Sequence, residues 1–450
     1  MVQSNDIVTI QITDFSDQGQ GIGKADGLAV FVAAGETVPG DMARVRLTKI
    51  KKRMAFGQLE ELLDPSPWRI PSFCPYAQQC GGCSYAETSM EGQLQIKEQQ
   101  VRNALQRLGG VQEPCVCQMV SSDKVIGYRN KAVMQISTGG NIKRKGGRIE
   151  NLSPAVVGFF RGKSHEVIDC PACRLQTGMA MAAAQAVRRF MREDHITAWD
   201  PKWEQGLMDS MTVRTAFGTG EVMVILTLHG RAVPNGSKLL DMLDEAIADA
   251  GGTLTSVMIQ CVRKGSISKW IPFAGNTVIH DRLGSLRLEI SPPSFYQINP
   301  DMTIRLYDQV KDYAALTGTE RVLDLYCGTG TIGLWMARSA GAVLGIESQP
   351  QAVLDANRNA VLNGIVNVRY LCGKAEHLLP ALLQDSGSRD HDRDEDMAWK
   401  RNVAQHADVV LLDPPRAGCR QELLAAVVRI SPRRTPTRSE ERRVGKECRS

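Results

Sequence analysis

The order of apolar and polar positions divides the chain into three regions, each with its own periodicity. In the first region, residues 8–12 alternate between apolar and polar side chains, which is the two-residue period of a half-buried strand. Two more strand-like segments, 28–32 and 43–47, are accompanied by turns rich in glycine and proline. Short strands at this spacing predict a small β-barrel that occupies residues 1–67.

The second region, residues 68–289, combines helical and extended patterns. Residues 91–108 place leucine and valine side chains on one helical face, and Gly109 and Gly110 supply a stop signal. The same region contains three strand-like segments, at 132–136, 155–160 and 222–228. We therefore expect a central domain of the α+β type.

The third region, residues 290–434, alternates strands with helices. Its strand-like segments are 322–325, 343–346, 368–371 and 409–412, and its helix-like segments are 331–339, 352–363 and 422–430. This alternation predicts an α/β domain with a parallel, doubly wound, Rossmann-like sheet. Residues 385–400 interrupt the pattern with a polar, charge-dense run, which predicts a flexible surface insertion rather than a site.

Composition narrows the class of protein. Of the 450 residues, 43% are hydrophobic and 23% are charged, as in ordinary soluble domains. The sequence has no apolar run of the ~18–20 residues that a membrane span needs, and no secretory signal precedes the first strand. These features predict a cytoplasmic protein without a membrane partner, and we expect a monomer.

Net charge gives little information about partners. The chain carries a formal charge of +5, and its clearest basic run is Lys49, Lys51, Lys52 and Arg53 at the far side of the predicted barrel. Such a run is consistent with a nucleic-acid contact or with a solvated strand end, and charge alone does not decide between the two.

Twelve cysteines in a chain of this kind favour metal, cluster or catalytic roles over disulfides. Cys74, Cys80 and Cys83 lie within ten residues, and two glycines between the last two allow the backbone to turn tightly around a metal centre. Cys170, which precedes a proline, is our candidate fourth ligand, and Cys173 is its competitor. The spacing fits an iron–sulfur cluster or a tetrahedral zinc ion.

A second candidate site follows the first strand of the third region. The sequence Asp-Leu-Tyr-Cys-Gly-Thr-Gly-Thr at 324–331 joins that strand to a helix, and its glycines permit a close approach of the backbone to a ligand. Glu347 ends the next strand, where a carboxylate can accept hydrogen bonds from ribose hydroxyls. Two glycines instead of the three of a dinucleotide fingerprint favour S-adenosylmethionine. The alternative is a purely structural turn.

Two further segments belong to the same end of the predicted sheet. Asp413-Pro414-Pro415-Arg416 follows the strand at 409–412, and its prolines stiffen the loop where donor and acceptor would meet. Arginine rather than an aromatic residue after the prolines disfavours an exocyclic nitrogen as the methyl acceptor. Gln297 and Asn299, just before the sheet, offer amide groups to a polar ligand.

Taken together and in this order, these motifs resemble those of the bacterial RNA 5-methyluridine methyltransferases, and most closely the enzymes that act on 23S rRNA. Gly21-Ile22-Gly23, Val30-Phe31-Val32 and Pro39-Gly40-Asp41 match the pattern of the TRAM domain, an OB-like RNA-binding barrel. The resemblance implies a Rossmann-like class I methyltransferase domain behind a TRAM barrel and a central α+β domain. It also implies RNA, specifically 23S rRNA, as the substrate.

The resemblance further implies which residues bind the cofactors. The ligands of a [4Fe–4S] cluster would be Cys74, Cys80, Cys83 and Cys170. The residues that contact S-adenosylmethionine would be Gln297, Tyr326, Thr331, Glu347 and Asp413. Gly127-Tyr128-Arg129 resembles a stretch that places an arginine near the target base.

The expected reaction requires a nucleophile that the sequence does not display. In the family, a cysteine thiolate adds to uracil C6, C5 takes the methyl group, and a base removes the C5 proton. Neither Cys327 nor Cys419 matches the motif of that cysteine, whose position falls near Glu440. Residues 438–450 read as a translated sequencing adapter, so we expect a tail at 435–450 foreign to the fold, a catalytic domain cut at 434, and an inactive chain. The alternatives are a non-catalytic RNA-binding protein and a tRNA methyltransferase.

Overall fold

The computed structural model of the protein describes residues 2–16, 18–139, 142–145, 148–151, 155–162, 164–263, 266–384, 394–415 and 418–437. Residues 2–64 form the predicted barrel. Its strands are β1 (Ile7–Gln11), β2 (Asp14–Phe15), β3 (Gly21–Ala25), β4 (Leu28–Val32), β5 (Met42–Lys51) and β6 (Met54–Asp64), in the sheet order β1-β5-β6-β4-β3-β2. Alternate residues of these strands, among them Ile10, Val30 and Val45, fill the interior.

A buried carboxylate fastens the barrel to the next domain. Asp41, in the predicted Pro-Gly-Asp turn, is fully buried and accepts hydrogen bonds from the backbone N–H groups of Val38 (2.6 Å) and Ser66 (2.8 Å). Arg69 lies just beyond the barrel and forms an ion pair with Asp41 at 2.5 Å and a second with Glu87. Because both charges of the first pair are satisfied, the buried group stabilises this junction instead of destabilising it.

The central domain begins with α1 (Met90–Arg107), close to the predicted helix. It continues as a seven-stranded sheet in the order β11-β10-β7-β12-β13-β14-β15. These strands are β7 (Lys131–Ser137), β10 (Val156–Phe160), β11 (Val167–Asp169), β12 (Met208–Thr215), β13 (Glu221–Leu228), β14 (Thr253–Arg263) and β15 (Ser266–Gly275). A hairpin of β8 (Ile142–Lys145) and β9 (Arg148–Asn151) follows β7 and precedes β10 along the chain.

Two helices that the sequence patterns did not predict complete the central domain. They are α2 (Gly178–Glu193) and α3 (Gly236–Asp249), and their apolar faces share one buried cluster with the sheet. A second hairpin, β16 (Ile279–Leu283) and β17 (Leu286–Ile290), then leads into the third domain. Arg214, near the end of β12, is deeply buried and donates hydrogen bonds to the carbonyl oxygens of Pro292 and Ser294. The central sheet is therefore anchored to the opening segment of the third domain.

The third domain confirms the predicted parallel sheet. Its strands β18 (Arg321–Leu325), β19 (Ala342–Glu347), β20 (Val368–Cys372) and β21 (Val409–Leu412) pair in parallel in the order β20-β19-β18-β21. Its helices are α4 (Pro300–Ala314), α5 (Thr331–Ala337), α6 (Pro350–Leu362), α7 (Ala375–Leu382), α8 (Glu395–Gln405) and α9 (Gln421–Ile430). Successive strand residues join different buried clusters, so both faces of the sheet are covered.

One prediction for this domain is wrong. Within the predicted flexible insertion, residues 395–400 are helical, because Asp394 caps α8 and Val403 packs beneath the sheet. Residues 385–393 of that insertion lie outside the described part of the chain.

No named strand forms at 435–437, where the expected strand was predicted to vanish, but isolated bridges join this segment to β21: the N–H groups of Val410 and Leu412 donate to the carbonyl oxygens of Arg434 (3.1 Å) and Pro436 (3.0 Å). Residues 438–450 of the predicted foreign tail lie outside the described residues. None of the described helices has the length and apolar character needed to cross a lipid bilayer.

Candidate functional site

A cavity of about 480 Å³ opens at the carboxyl ends of β18, β19 and β21. Ligands bind at this edge of doubly wound sheets because the loops there are free of the strand ladder and the sheet order reverses. Tyr326, Glu347 and Asp413, three of the five residues predicted to contact a methyl donor, line the cavity together. The remaining lining residues are Phe295, Gly328, Ile346, Ser348, Lys374, Ala375, Glu376, His377, Pro414, Pro415 and Arg420.

The turn after β18 adopts the backbone conformation that its glycines predict. Tyr326, Gly328 and Gly330 all have positive φ angles, of 62°, 55° and 73°. This conformation is unusual for tyrosine, and such backbone strain tends to occur at functional sites. A side chain at Gly330 is also excluded by packing, since a Cβ there would lie 2.3 Å from the hydroxyl of Tyr370. The turn therefore needs glycine at this point for two independent reasons.

Glu347 is held at the cavity wall by three hydrogen bonds. One carboxylate oxygen accepts from the N–H of Gly328 at 3.1 Å, and the other accepts from the hydroxyl of Ser348 at 3.0 Å and the N–H of Gln349 at 2.8 Å. These bonds fix the carboxylate at the end of β19 before any ligand arrives. A carboxylate in this position can accept hydrogen bonds from vicinal hydroxyls, as the sequence predicts.

The carboxyl group of Asp324 lies beneath the cavity, at a buried position that disfavours a charge. Asp324 on β18 is buried, and one of its oxygens accepts from the N–H of Gly333 at 3.0 Å while the other has no hydrogen-bond partner among the described residues. Burial, the carboxylate of Asp413 and that of Glu347 raise the pKa of Asp324 to about 7. Glu347, Asp413 and Glu376 in the cavity wall, with Asp324 beneath it, bring four carboxyl groups together and favour a ligand with positive charge.

Tyr326 connects the cavity to a residue that the sequence analysis missed. Its hydroxyl donates to Glu376 at 2.8 Å, and burial together with this bond raises the pKa of Tyr326, so the group remains a donor. Glu376 lies in the first turn of α7, directly after β20. The sequence did contain a signal for Glu376, because polar residues that follow parallel strands reach the same edge of the sheet. It was overlooked because helix α7 itself was not predicted.

The segment before α4 borders the cavity, although only part of it contributes to the wall. Phe295 lines the cavity and is 62% exposed, whereas the next residue, Tyr296, is buried and donates to Asp281 at 3.0 Å. The carbonyl oxygen of Gln297 accepts from the side-chain amide of Asn130 at 2.7 Å, and Asn299 caps α4. The side-chain oxygen of Asn299, part of the amide predicted to hold a ligand, is therefore engaged as a helix cap.

Two predicted donor-binding residues are not part of the cavity wall. Gln297 is half-buried beside the cavity but does not line it. Thr331 begins α5 behind the glycine turn, and its hydroxyl lies 2.6 Å from the hydroxyl of Tyr307. The structure thus groups Tyr326, Glu347 and Asp413 in the cavity wall and leaves Gln297 and Thr331 at the margin of the cavity.

A second cavity, of about 290 Å³, is lined by cysteines. It contains all four predicted cluster ligands, Cys74, Cys80, Cys83 and Cys170, and also Cys173. The glycines between Cys80 and Cys83 allow this convergence: the N–H of Gly81 donates to the carbonyl oxygen of Phe160 on β10 at 3.0 Å, and a Cβ at Gly81 would lie 2.8 Å from Gly162. The cysteine loop therefore approaches the central sheet as closely as backbone allows.

Cys170 and Cys173 form a hydrogen-bonded pair within this cavity. Donation to Cys173, together with burial, raises the pKa of Cys170. The pKa of Cys173 is lowered because it accepts from Cys170 and from the backbone of Leu175 and Gln176. Among the described residues, no three histidine, cysteine or carboxylate side chains are arranged to hold a single metal ion. The cysteines surround a space instead of forming a ready-made mononuclear site.

The cysteine cavity also contains basic residues. Arg129, for which the sequence predicts a place near a target base, lines this cavity, and its Nε is buried without a hydrogen-bond partner among the described residues. Burial and the charge of Arg214 lower the pKa of Lys131, another lining residue, to about 8. Cations in this position stabilise the ionised form of the cysteine thiols and any anionic group bound in the cavity.

The fold and the first cavity define a doubly wound α/β methyltransferase domain that follows a β-barrel and a central mixed domain. Comparison with known families identifies the two ends of the chain. Residues 2–59 match the TRAM domain, and residues 277–432 match the family described as tRNA (Uracil-5-)-methyltransferase.

Whole-chain comparisons agree. An RNA methyltransferase of Halalkalibacterium halodurans, described as uncharacterised, is 34% identical over 96% of this chain and 88% of the relative. One from Caldanaerobacter subterraneus is 34% identical over 94% and 87%. The crystal structure of Pyrococcus abyssi tRNA (uracil-54, C5)-methyltransferase with S-adenosyl-L-homocysteine superposes with a TM-score of 0.66 at 23% identity, covering 94% of this chain and 87% of that one. The chain belongs to the RNA uracil-5-methyltransferase family.

Proposed function

We propose that the protein transfers a methyl group from S-adenosylmethionine to C5 of a uracil in RNA, with 23S rRNA as the substrate. The observation that carries the proposal is the cavity at the carboxyl ends of β18, β19 and β21, where Tyr326, Glu347 and Asp413 converge. When bound there, S-adenosylmethionine supplies an electrophilic methyl group on a positively charged sulfur. The solved relative from Pyrococcus abyssi carries S-adenosyl-L-homocysteine, which supports this ligand class.

The residues of the cavity have distinct roles in this proposal. Glu347, already fixed by three hydrogen bonds, accepts from the ribose hydroxyls. Asp413 and Glu347 provide negative charge that favours the sulfonium form over the neutral product. Gln297 and Thr331, at the margin of the cavity, complete the predicted set of donor contacts.

The exposed Phe295 ring lies at the cavity and provides an apolar surface for the acceptor base. A target uracil must leave its stack to reach this position. Attack at C6 requires a thiolate, and neither Cys327 nor Cys419 matches the motif of the family's nucleophile. Cys327 is buried, which raises its pKa well above the ordinary value, and Cys419 lies against Tyr326.

We further propose that the cysteine cavity holds a [4Fe–4S] cluster on Cys74, Cys80, Cys83 and Cys170. Five cysteines around one space of about 290 Å³ support a polynuclear group, and Arg129 and Lys131 offset the negative charge that thiolate ligands bring. Cys173, as the hydrogen-bond partner of Cys170, is the alternative fourth ligand. A cluster here organises the domain that carries the RNA, at a distance in sequence from the methyl-transfer residues.

Two measurements test the proposal. Calorimetric titration of the protein with S-adenosylmethionine should show binding that Glu347→Ala weakens, while Glu395→Ala on the exposed start of α8 leaves it unchanged. Incubation with labelled donor and either 23S rRNA fragments or tRNA, followed by digestion to nucleosides, should yield 5-methyluridine from the rRNA. Absence of donor binding by the wild type would refute the assignment of the cavity.

The tRNA substrate is the second candidate, and a specific observation favours it: both the matched family and the superposed structure carry a tRNA description. The TRAM barrel is our reason to place rRNA first. Methylation of tRNA alone in the same assay would reverse this order. The transfer assay also decides whether residues 1–450 contain the required thiolate. Binding of donor and RNA without transfer would favour the non-catalytic RNA-binding alternative.

A further inference from the structure

The outer face of the barrel carries two rows of side chains that run across four strands. Strand register places Ile22, Phe31, Phe56 and Lys49 side by side in one row, and Lys24, Ala29, Met54 and Lys51 side by side in the next. Directly opposed residues share a face of the sheet. Their alternate neighbours, such as Val30 and Ala55, are fully buried in the barrel core, so the two rows face outward.

The centre of this surface is aromatic. The rings of Phe31 and Phe56 are stacked, with centroids 5.7 Å apart and an interplanar angle of 29°. Both side chains are partly exposed instead of buried in the core. The Nζ of Lys51 lies 5.4 Å from the centroid of Phe56. A pair of partly exposed aromatic rings with an adjacent cation is the arrangement on which nucleic-acid bases stack.

The charges along β5 are sorted around this aromatic pair. In the first half of the strand, Arg44 is paired with Glu61 at 2.8 Å and Arg46 with Glu60 at 2.5 Å. At its far end the exposed cations Lys49, Lys51, Lys52 and Arg53, joined by Lys24 from β3, have no carboxylate partner among the described residues. Positive charge is thus left uncompensated beside the rings and neutralised elsewhere on the same strand. If the cations at the far end of β5 only kept the strand end solvated, there would be no reason for paired and unpaired charges to be separated along the strand.

We propose that this surface, formed by Phe31, Phe56, Lys24, Lys49 and Lys51 and named here the Phe31–Phe56 face, binds a single-stranded segment of the RNA substrate. Bases stack on the two rings, and the lysines contact the flanking phosphates. Single-stranded RNA fits because stacking on a protein ring requires a base that is free of its own helix. The inference rests on the proposed RNA-modifying function, which brings RNA to this protein, and adds the place and mode of contact.

The test uses the full chain and fluorescence anisotropy with a labelled single-stranded oligoribonucleotide. Replacement of both rings, F31L/F56L, retains apolar bulk but removes the stacking surface, and should weaken binding about tenfold or more. The double variant R44A/R46A, on the same strand but with charges already paired, is the matched control and should bind within about twofold of wild type.

A second pair of measurements tests the role of the lysines and the preference for single-stranded RNA. K49A/K51A should reduce the salt dependence of binding, because fewer counterions are released. A duplex of the same sequence should be insensitive to F31L/F56L. Wild-type affinity in F31L/F56L, or equal losses in F31L/F56L and R44A/R46A, would overturn the Phe31–Phe56 face while leaving the proposed function in place. Failure of the wild type to bind any RNA would instead refute the proposed function.

Discussion

The buried carboxyl group of Asp324 makes the catalytic domain sensitive to pH, and Asp324→Asn should remove that sensitivity. Its pKa is raised to about 7 from the model-compound value of 3.8, first by burial and then by Asp413 and Glu347. The native state therefore holds the proton more tightly than the unfolded chain. The free energy of unfolding falls as pH rises between these two pKa values and is constant above the higher one.

The magnitude follows from the two pKa values. Each pKa unit corresponds to about 1.4 kcal/mol, so the linkage relation gives a loss of about 2–3 kcal/mol between pH ~5 and pH ~8 from this group alone. Asparagine keeps an oxygen for the N–H of Gly333 and turns an amide towards the two neighbouring carboxylates. The variant should therefore fold, and should be the more stable protein at the higher pH.

Hydrogen exchange is the suitable assay because a chain with several domains does not unfold in a single step. Exchange of the amides in β18 and β19, corrected for the intrinsic rate at each pH, gives the opening free energy of this domain. The difference between wild type and Asp324→Asn cancels the other titrating groups. Equal losses in the two proteins between the two pH values would show that Asp324 is ionised throughout and would refute the reasoning.

Three further predictions concern the two cavities. Gly330→Ala should destabilise the catalytic domain, measured by the same exchange, since a Cβ would collide with Tyr370 at a positive φ angle; Gly364→Ala, with positive φ but open space, should cost less. Asn130→Ala should weaken donor binding in calorimetry by about 1–3 kcal/mol, because it removes a part-buried hydrogen bond to Gln297; unchanged affinity would exclude this role. Cys80→Ser should lower the bound iron and sulfide of anaerobically purified protein and its RNA affinity, whereas exposed Cys115→Ser should do neither.

The sequence predicted the catalytic sheet because its strands are short apolar runs bounded by glycine, proline and charge. Every strand of the third domain falls within one or two residues of its predicted bounds. The helix α2 was missed for the opposite reason: its buried face is built mainly from alanine, whose side chains give a weak apolar period. Helix α8 was mistaken for a flexible insertion because its N-terminal turn is acidic, although acidic residues there cap and stabilise a helix.

The candidate site was predicted only as far as residues lie next to strand ends. Tyr326, Glu347 and Asp413 follow β18, end β19 and follow β21, so their convergence is a consequence of the parallel order. Gln297 precedes the sheet, and its position depends on contacts with Asn130, far away along the chain. Sequence periodicity contains no information about such a contact. The placement of Arg129 on the cysteine cavity was missed for the same reason.

These long-range contacts join the two cavities. Phe295 lines the cavity at the carboxyl ends of β18, β19 and β21, and Ile298 lines the cysteine cavity, so a segment of four residues forms part of both walls. Asn130 holds this segment at two points, since its side chain donates to the carbonyl oxygen of Gln297 at 2.7 Å and its N–H donates to that of Ile298 at 3.0 Å. Its neighbour Arg129 lies among the cysteines. Whatever orders the cysteine cavity therefore also positions the backbone beside the cavity that Phe295 lines, although the two motifs are more than a hundred residues apart in sequence.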